Sequence, residues 1–313
     1  MRALAGAGRT EEARSLLAVA ERNGADEGLG FVSALVAVGE VDRAEELATG
    51  GGLWVEPVIG ARLAEGDFDA VVRLARNGGL PSGRTLAMAV RGLTEAGAWD
   101  RAVLLGREGS SFDQDRMSLI TVAGMARAGR VHEAAHRLAG VGTAPTGDLG
   151  VTLLPERVRA LLALGRREEA ERLARPVRAE TSRLSPAAHA RYVVRALVVL
   201  GAHEEACRHA READPRNVVQ LLLSVAADLV REGAYEEAER ILAGLHFAGL
   251  RCAAVYADLA RDHPDPVRAR ECAALALHLG SWPEVLPTVL PRVPEAVPLV
   301  LEEAERLRRA LEV

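Results

Sequence analysis

The apolar residues of the chain recur at the three- and four-residue steps of helices that have one hydrophobic face. Between Val218 and Arg231 they fall at positions 221, 222, 225, 229 and 230, on one side of a helix. Gly233 then supplies a turn, and Tyr235-Glu236-Glu237-Ala238 begins a second helix whose carboxylates lie at the positive end of the helix dipole. The pattern predicts an antiparallel helical hairpin with a small Ala where the two helices approach.

This hairpin pattern is repeated along almost the whole chain. A Gly, once a Pro, is followed five residues later by Ala or Val, and each Gly is also followed three residues later by an acidic residue or His. The turn residues are Gly8, Gly39, Gly66, Gly97, Gly129, Gly165, Gly201, Gly233 and Pro264, at spacings from 27 to 36 residues. Such self-similarity is typical of helical repeat arrays. Second helices are predicted near 10–22, 41–49, 68–76, 99–107, 131–139, 167–180, 203–213, 235–245 and 266–278.

Both ends depart from the repeat. Only about seven residues precede Gly8, which leaves half of a first helix and an uncovered apolar face. We therefore expect an earlier true start, or cover by another chain, including self-association. Residues 1–280 are predicted to form the repeat array, and residues 281–313, which are punctuated by Pro and end in a charged helix, to form C-terminal capping helices.

Two of the turns carry a resemblance to a known family. Gly201-Ala202-His203-Glu204-Glu205-Ala206 and the corresponding segment from Gly233 to Ala238 resemble the turn and second-helix start of the tetratricopeptide repeat. The segment from Ala128 to Ala134 is similar to the same turn in pentatricopeptide repeats. The resemblance implies an all-α fold, a right-handed superhelical solenoid of about nine antiparallel helical hairpins. Most of the large aromatic residues expected in the first helix of a full tetratricopeptide repeat are absent, so the chain is interpreted as tetratricopeptide-like.

Composition and charge narrow the function classes. All 39 basic residues are Arg, a bias typical of a GC-rich genome and hence of a high-GC bacterium. The net charge of −5 gives no overall attraction to nucleic acid or to an anionic membrane. Three scattered Cys without a CxxC pair favour a reducing compartment. With no signal-peptide start and no apolar run of 18 residues, we expect a cytoplasmic protein without a membrane span.

One segment has the spacing of a zinc-hydrolase motif. His132-Glu133-Ala134-Ala135-His136 would place two imidazoles on one helical face, and Glu156 is a candidate third ligand. However, His132 occupies the acidic position of the repeated pattern and Ala134 its small position, so the repeat already accounts for the segment. Glu-Glu pairs likewise recur at helix starts, where they match the dipole. We expect no catalytic site, no metal and no cofactor.

Arginine residues form the candidate binding surface. In tetratricopeptide-type arrays the first helices line the concave side, and the resemblance implies that the positions two, six, ten and thirteen before each turn face it. Counting back gives Arg84, Arg91, Arg116, Arg127, Arg159, Arg191, Arg195 and Arg231, opposed only by Glu95. Such a row suits bidentate recognition of carboxylates or phosphates. The competing interpretation is ordinary solvated charge, paired with neighbouring acids.

Three functions remain open from the sequence. A non-enzymatic scaffold would bind a peptide or partner protein, possibly acidic, along the arginine surface. Alternatively, the chain is a sensor or regulatory repeat tail of a larger signalling ATPase. An RNA-binding helical repeat protein is the third, which the 27-to-36 spread of spacings and the net charge disfavour. The sequence does not identify the partner.

Overall fold

The computed structural model describes residues 10–22, 28–51, 55–77, 83–108, 110–141, 148–175, 184–245, 248–280, 285, 288–289 and 293. These residues form seventeen α-helices, and none of them lies in a strand. The all-α prediction is confirmed, and the number of helices is compatible with a helical repeat protein. The helices are α1 (Thr10–Arg22), α2 (Leu29–Ala37), α3 (Val41–Gly51), α4 (Val55–Glu65), α5 (Phe68–Asn77), α6 (Gly83–Glu95), α7 (Trp99–Gly106), α8 (Ser111–Arg127), α9 (Val131–Gly140), α10 (Asp148–Ala163), α11 (Arg167–Ala174), α12 (Pro186–Leu200), α13 (His203–Ala213), α14 (Val218–Arg231), α15 (Tyr235–Ala243), α16 (Leu250–Asp262) and α17 (Pro266–Leu279).

The nine predicted second helices correspond to the odd-numbered helices α1 to α17. Their bounds agree with the prediction to within about two residues, except that α11 ends at Ala174 and the predicted continuation over 176–180 lies outside the described residues. The incomplete first helix before Gly8 also lies outside them. So do the predicted capping helices over 281–313, apart from four isolated positions.

The repeated Gly forms the end of one helix and positions the start of the next. At Gly129, φ is 82°, in the left-handed region that only Gly occupies without strain. The Gly129 N–H donates to the carbonyl of Ala126 at 3.0 Å, and the Arg130 N–H donates to the carbonyl of Met125 at 2.9 Å. This pair of bonds is the Schellman motif, which satisfies carbonyls that the helix leaves open. Positive φ also occurs at the other predicted turns that are Gly and lie in the described residues: Gly39, Gly66, Gly97, Gly165, Gly201 and Gly233.

The small residue five positions after each turn is buried in every hairpin. Eight of these side chains are 0 % exposed and the ninth, Ala269, is 3 % exposed. They are Ala13, Ala44, Val71, Ala102, Ala134, Ala170, Ala206, Ala238 and Ala269. A small side chain at this place lets the second helix approach the first closely, as the sequence predicts.

Contacts divide the chain into two compact units, residues 15–201 and residues 1–14 with 202–313. In the first unit each even-numbered helix from α2 to α10 packs on the next even-numbered helix, and also on the odd-numbered helix that follows it. Leu35, Ile59, Leu93, Leu119 and Met125 are among its fully buried side chains. In the second unit α14 packs on α15 and α16, and α16 packs on α17. No helix of the described chain is long and apolar enough to cross a membrane.

Candidate functional site

All eight arginines of the predicted binding surface lie on even-numbered helices, which are the first helices of the hairpins. Arg84 and Arg91 lie on α6, Arg116 and Arg127 on α8, Arg159 on α10, Arg191 and Arg195 on α12, and Arg231 on α14. The first seven belong to the unit of residues 15–201, and Arg231 belongs to the other unit. The side chain of Arg84 lies outside the described residues.

Two of these arginines, Arg159 and Arg195, act electrostatically on a third, Arg91, and the three lie on different helices. Arg91 is exposed as a whole residue, but the protein around it removes part of the water from its guanidinium group. This desolvation is the main reason that the pKa of Arg91 is lowered from the ordinary value. The charges of Arg159 and Arg195 lower the pKa further, while Glu156 and Glu95 oppose that change. The guanidinium stays charged at neutral pH. The packing of α6, α8, α10 and α12 therefore gathers like charges at one place.

A buried carboxylate lies among these arginines. The Glu156 side chain is 3 % exposed, and its Oε1 atom lies 4.0 Å from Nη2 of Arg116. That distance exceeds a hydrogen bond, and Oε1 has no hydrogen-bond partner among the described residues. Pro155, directly before Glu156, lies inside α10 and has no N–H to donate to the preceding turn. We call Arg91, Arg116, Arg159, Arg195 and Glu156 the arginine cluster.

Glu95 is the only acid at the positions counted back from the turns, but a second acid outside those positions, Glu156, also acts on the arginines. Glu156 lies nine residues before Gly165, one position away from those counted as facing the concave side. It nevertheless acts on both Arg91 and Arg116. The sequence carries a signal for it, because Glu156 and Arg159 are three residues apart and therefore lie on the same helical face.

The other predicted arginines have different surroundings. Nε of Arg127 donates to the carbonyl of Ala123 in its own helix at 3.2 Å. Arg231 pairs at 2.8 Å with Asp228, which is buried on the same helix. Arg191 is exposed on α12. The structure thus brings together Arg91, Arg116, Arg159 and Arg195, while Arg231 has a carboxylate of its own.

Acids on the second helices pair with arginines of neighbouring hairpins. Arg101 on α7 donates to both carboxylate oxygens of Asp69 on α5, at 2.8 and 3.1 Å, across 32 residues. Arg73 on α5 donates to Glu45 on α3 at 2.5 Å across 28 residues. Each separation is one residue longer than the distance between the corresponding turns, which is 27 residues from Gly39 to Gly66 and 31 residues from Gly66 to Gly97. Corresponding faces of successive second helices are therefore bridged. Much of the acidic charge of these helices is therefore already paired.

The segment with zinc-motif spacing is engaged in the same kind of surface pairing. His132 and His136 are exposed, and the Glu133 carboxylate accepts from Arg130 and from Arg137. Glu156, the candidate third ligand, belongs to the arginine cluster instead. Within the ranges that the structure describes, no group of three or more His, Cys, Asp or Glu side chains is arranged to hold a metal ion.

A cavity of about 830 Å³ lies in the second unit, lined by α15, α16 and α17. Glu239, one of the four acidic residues that line it, is the shared partner of three groups. Arg268 pairs with it at 2.5 Å, Nε2 of His263 lies 3.8 Å from it, and Sγ of Cys272 donates to it at 3.6 Å. Burial, and then the charge of Glu239, raise the pKa of Cys272 to about 12. A thiol that stays protonated is a poor nucleophile, so this arrangement favours a structural role.

Comparison with protein-family models gives no match for the chain, and comparison with curated proteins gives none either.

Proposed function

We propose that the chain is a tetratricopeptide-like, right-handed helical repeat protein from the cytoplasm of a high-GC bacterium. Its function is that of a non-enzymatic scaffold for protein interactions. The first helices of residues 15–201 line a concave surface, and the arginine cluster on that surface binds an acidic segment of a partner protein. Arginine clusters are a common means of recognising acidic motifs, because each guanidinium can hold an oxyanion with two hydrogen bonds.

The distribution of paired and clustered charge carries this proposal. On the second helices, arginines such as Arg73 and Arg101 already hold carboxylates of neighbouring hairpins. On the first helices, the charges of Arg159 and Arg195 lower the pKa of Arg91. Two acids, Glu156 and Glu95, oppose that change. Clustering like charges costs free energy unless an anion compensates it. An acidic partner would supply that compensation.

The packing of the first helices determines how many hairpins contribute side chains to the arginine cluster. Because α6, α8, α10 and α12 pack successively on one another, side chains from four hairpins meet along one surface. A surface assembled from several hairpins suits an extended peptide or a helix better than a small molecule.

A selection with a display library of random peptides of about sixteen residues tests the proposal. We expect the peptides that bind the full chain to be enriched in Asp and Glu. One enriched peptide, labelled with a fluorophore, is then titrated with the wild type and with the variant Arg91→Gln/Arg159→Gln/Arg195→Gln. The triple variant should weaken binding by at least about a hundredfold, as expected for the loss of several charge-assisted hydrogen bonds.

A matched control separates this surface from general positive charge. The variant Arg73→Gln/Arg76→Gln/Arg101→Gln removes the same charge from second helices, where all three arginines pair with acids. Its affinity for the peptide should stay within about twofold of the wild type. Equal losses in both triple variants, or a selection without acidic enrichment, would overturn the proposal.

A further inference from the structure

The cavity of the second unit lies at the repeat turn where Pro264 replaces Gly. Its volume of about 830 Å³ falls in the range of roughly 300 to 1,000 Å³ that is usual for small-molecule sites. His263, Pro264 and Asp265 of this turn contribute to its lining. Ala243 and Leu275 are among its apolar lining residues, and Leu275 is 42 % exposed. The cavity therefore offers apolar surface beside polar groups.

Tyr256 on α16 brings a hydroxyl group without a partner to this cavity. It is a lining residue, yet it is only 6 % exposed. In the part of the chain that the structure describes, the Tyr256 hydroxyl forms no hydrogen bond. Burial is the main reason that the pKa of Tyr256 is raised, so the hydroxyl keeps its proton. A polar group that is buried without a partner costs free energy, and a hydrogen-bond donor entering the cavity would remove that cost.

The Glu239 carboxylate has one oxygen that can accept a further hydrogen bond. Its Oε2 atom accepts from Nη2 of Arg268 at 2.5 Å, whereas Oε1 accepts from the Cys272 thiol at 3.6 Å, which is a weak donor. Nε2 of His263 lies 3.8 Å from Oε1, beyond hydrogen-bond distance. The Asp265 N–H donates to Nδ1 of the same ring at 3.0 Å and holds it there. Oε1 thus lacks a strong donor among the described residues, although the Glu239 side chain is only 15 % exposed.

The charge around the cavity favours a cation. Four carboxylates and two arginines are among its lining groups. Arg268 already pairs with Glu239 and with Glu271, at 2.5 and 2.6 Å. Arg240 lies 3.8 Å from Glu237, an acid of the same helix. Because both arginines have carboxylate partners, an entering anion would meet an excess of negative charge and an entering cation would be attracted.

We infer that this cavity binds a primary ammonium group at the end of an aliphatic chain. Oε1 of Glu239 and the hydroxyl oxygen of Tyr256 accept its N–H groups, while Leu275 and Pro264 contact the chain. A guanidinium group fits less well, because Arg268 occupies Oε2 and leaves no carboxylate face for two parallel hydrogen bonds. The ammonium group can come from a free polyamine or from a Lys side chain of a partner protein. This site goes beyond the proposed function, since the arginine cluster lies in the other unit.

Titration calorimetry with the full chain tests the inference. The amine probes are 1,5-diaminopentane, spermidine and Nα-acetyl-lysine methylamide, and pentan-1-ol is the neutral control of similar length. We expect the amines to bind at least about tenfold more tightly than pentan-1-ol, because only they carry the charge that Glu239 attracts. Tighter binding of the two free amines would identify a polyamine site, and tighter binding of the lysine derivative a site for a protein side chain; both results support the inference.

Two variants with opposite expected effects separate binding from misfolding. Tyr256→Phe removes only the hydroxyl group and should weaken amine binding by about tenfold, as expected for a lost hydrogen bond to a charged group. Tyr192→Phe is the same chemical change on α12, in the other unit, and should leave the affinity within about twofold. Arg268→Gln should tighten binding several-fold, because it removes a competing cation and frees Oε2 of Glu239. Misfolding could not produce that gain.

Several results would overturn the inference. Equal binding of pentan-1-ol would show that the cavity recognises apolar surface alone, and weaker binding by Arg268→Gln would show that this arginine holds the ligand. An unchanged affinity in Tyr256→Phe, or no binding of any amine, would also contradict the site. None of these results bears on the proposed function, because the variant Arg91→Gln/Arg159→Gln/Arg195→Gln alters the other unit and should bind the amines as the wild type does.

Discussion

Nη2 of Arg116 on α8 lies 4.0 Å from Oε1 of Glu156 on α10, a carboxylate of which only 3 % is exposed. The two residues come from successive first helices, so the contact joins two hairpins. Burial makes an ionised carboxylate costly unless a cation compensates it. The pair is therefore asymmetric: loss of the arginine leaves a buried charge behind, whereas loss of the carboxylate leaves an arginine that can turn to water.

This asymmetry predicts the outcome of a double-mutant cycle. Arg116→Ala should lower the free energy of unfolding by about 1 to 3 kcal/mol, since the buried Glu156 loses one of the two arginines that act on it and keeps Arg91. Glu156→Gln should lower it less than Arg116→Ala does, because Arg116 can turn to water, although Arg91 loses a counter-charge. In the Glu156→Gln background Arg116→Ala should cost much less. Urea denaturation of the four proteins measures these differences. Equal and additive losses from the two single changes would show that the charges do not interact.

Ion pairs between neighbouring hairpins should differ in their contribution to stability according to how many acids share an arginine. Arg62 is 13 % exposed and pairs with Asp42, Glu45 and Glu65. Its hydrogen bond to Asp42, followed by those to Glu65 and Glu45, raises its pKa above the ordinary value. Arg101, by contrast, has one exposed partner, Asp69.

We expect Arg62→Ala to lower the free energy of unfolding by about 1 kcal/mol, a modest value because the network lies at the surface and is screened by salt. Arg101→Ala should cause no measurable change. Thermal melts at low salt and at about 1 M sodium chloride check both expectations, because the effect of Arg62→Ala should shrink at high salt. An effect that is independent of salt would instead indicate lost packing of the Arg62 side chain.

Replacing a turn glycine by a residue with a side chain should lower stability, because the positive φ of its backbone strains an L-residue. At Gly129, where φ is 82°, no atom lies within 4 Å of the place of an added Cβ. Gly129→Ala should still cost about 1 to 2 kcal/mol, because an L-residue is strained in the left-handed region. Gly60, in the exposed interior of α4 with equally open space, is the control: Gly60→Ala should raise stability by about 0.5 to 1 kcal/mol. The same sign for both changes would contradict this account of the turn.

Cys272 should make stability depend on alkaline pH. Its pKa is raised from 9.0 to about 12 in the folded chain, first by burial and then by Glu239. The unfolded thiol therefore loses its proton at lower pH than the folded thiol. Its contribution to stability is complete below pH 9 and is lost as the pH rises from there towards 12.

Between pH 8 and pH 10 this linkage lowers the free energy of unfolding by about 1.4 kcal/mol. Cys272→Ala should remove that part of the decline, whatever its effect at pH 8. Urea denaturation of both proteins, followed by circular dichroism at the two pH values, gives the comparison. Parallel declines in the wild type and the variant would show that the Cys272 thiol ionises as readily in the folded chain as in the unfolded one.

The elements that the sequence predicts well are those that depend on local backbone chemistry. Gly129 and its equivalents must adopt positive φ, and Ala134 and its equivalents must be small; both requirements follow from one hairpin and recur in each. The first-helix position of the arginines follows from the same counting. The scaffold function, the sensor-tail alternative and the RNA-binding alternative stay predictions.

Contacts between hairpins were less predictable, because they depend on how far each helix is displaced along its neighbour. Counting positions back from the turn does not identify Glu156 as a surface residue of the cluster. Glu156 lies near Arg116 only because α8 packs on α10. The pairing of Arg231 with Asp228 is different. Asp228 lies three residues away on the same helix, so this pair can be predicted from the sequence alone. The pairing of Arg101 with Asp69 requires knowledge of both second helices.

The affinity of a charge-reversed cluster for an acidic peptide tests the central claim most directly. The variant Arg159→Glu/Arg195→Glu is compared with Arg73→Glu/Arg101→Glu, using one acidic peptide and its counterpart in which every Asp and Glu is Lys. We predict that reversal in the cluster abolishes binding of the acidic peptide and creates binding of the basic one, while the second-helix reversal changes neither. Unchanged affinity of the cluster variant for the acidic peptide would contradict the claim that these arginines form the binding surface.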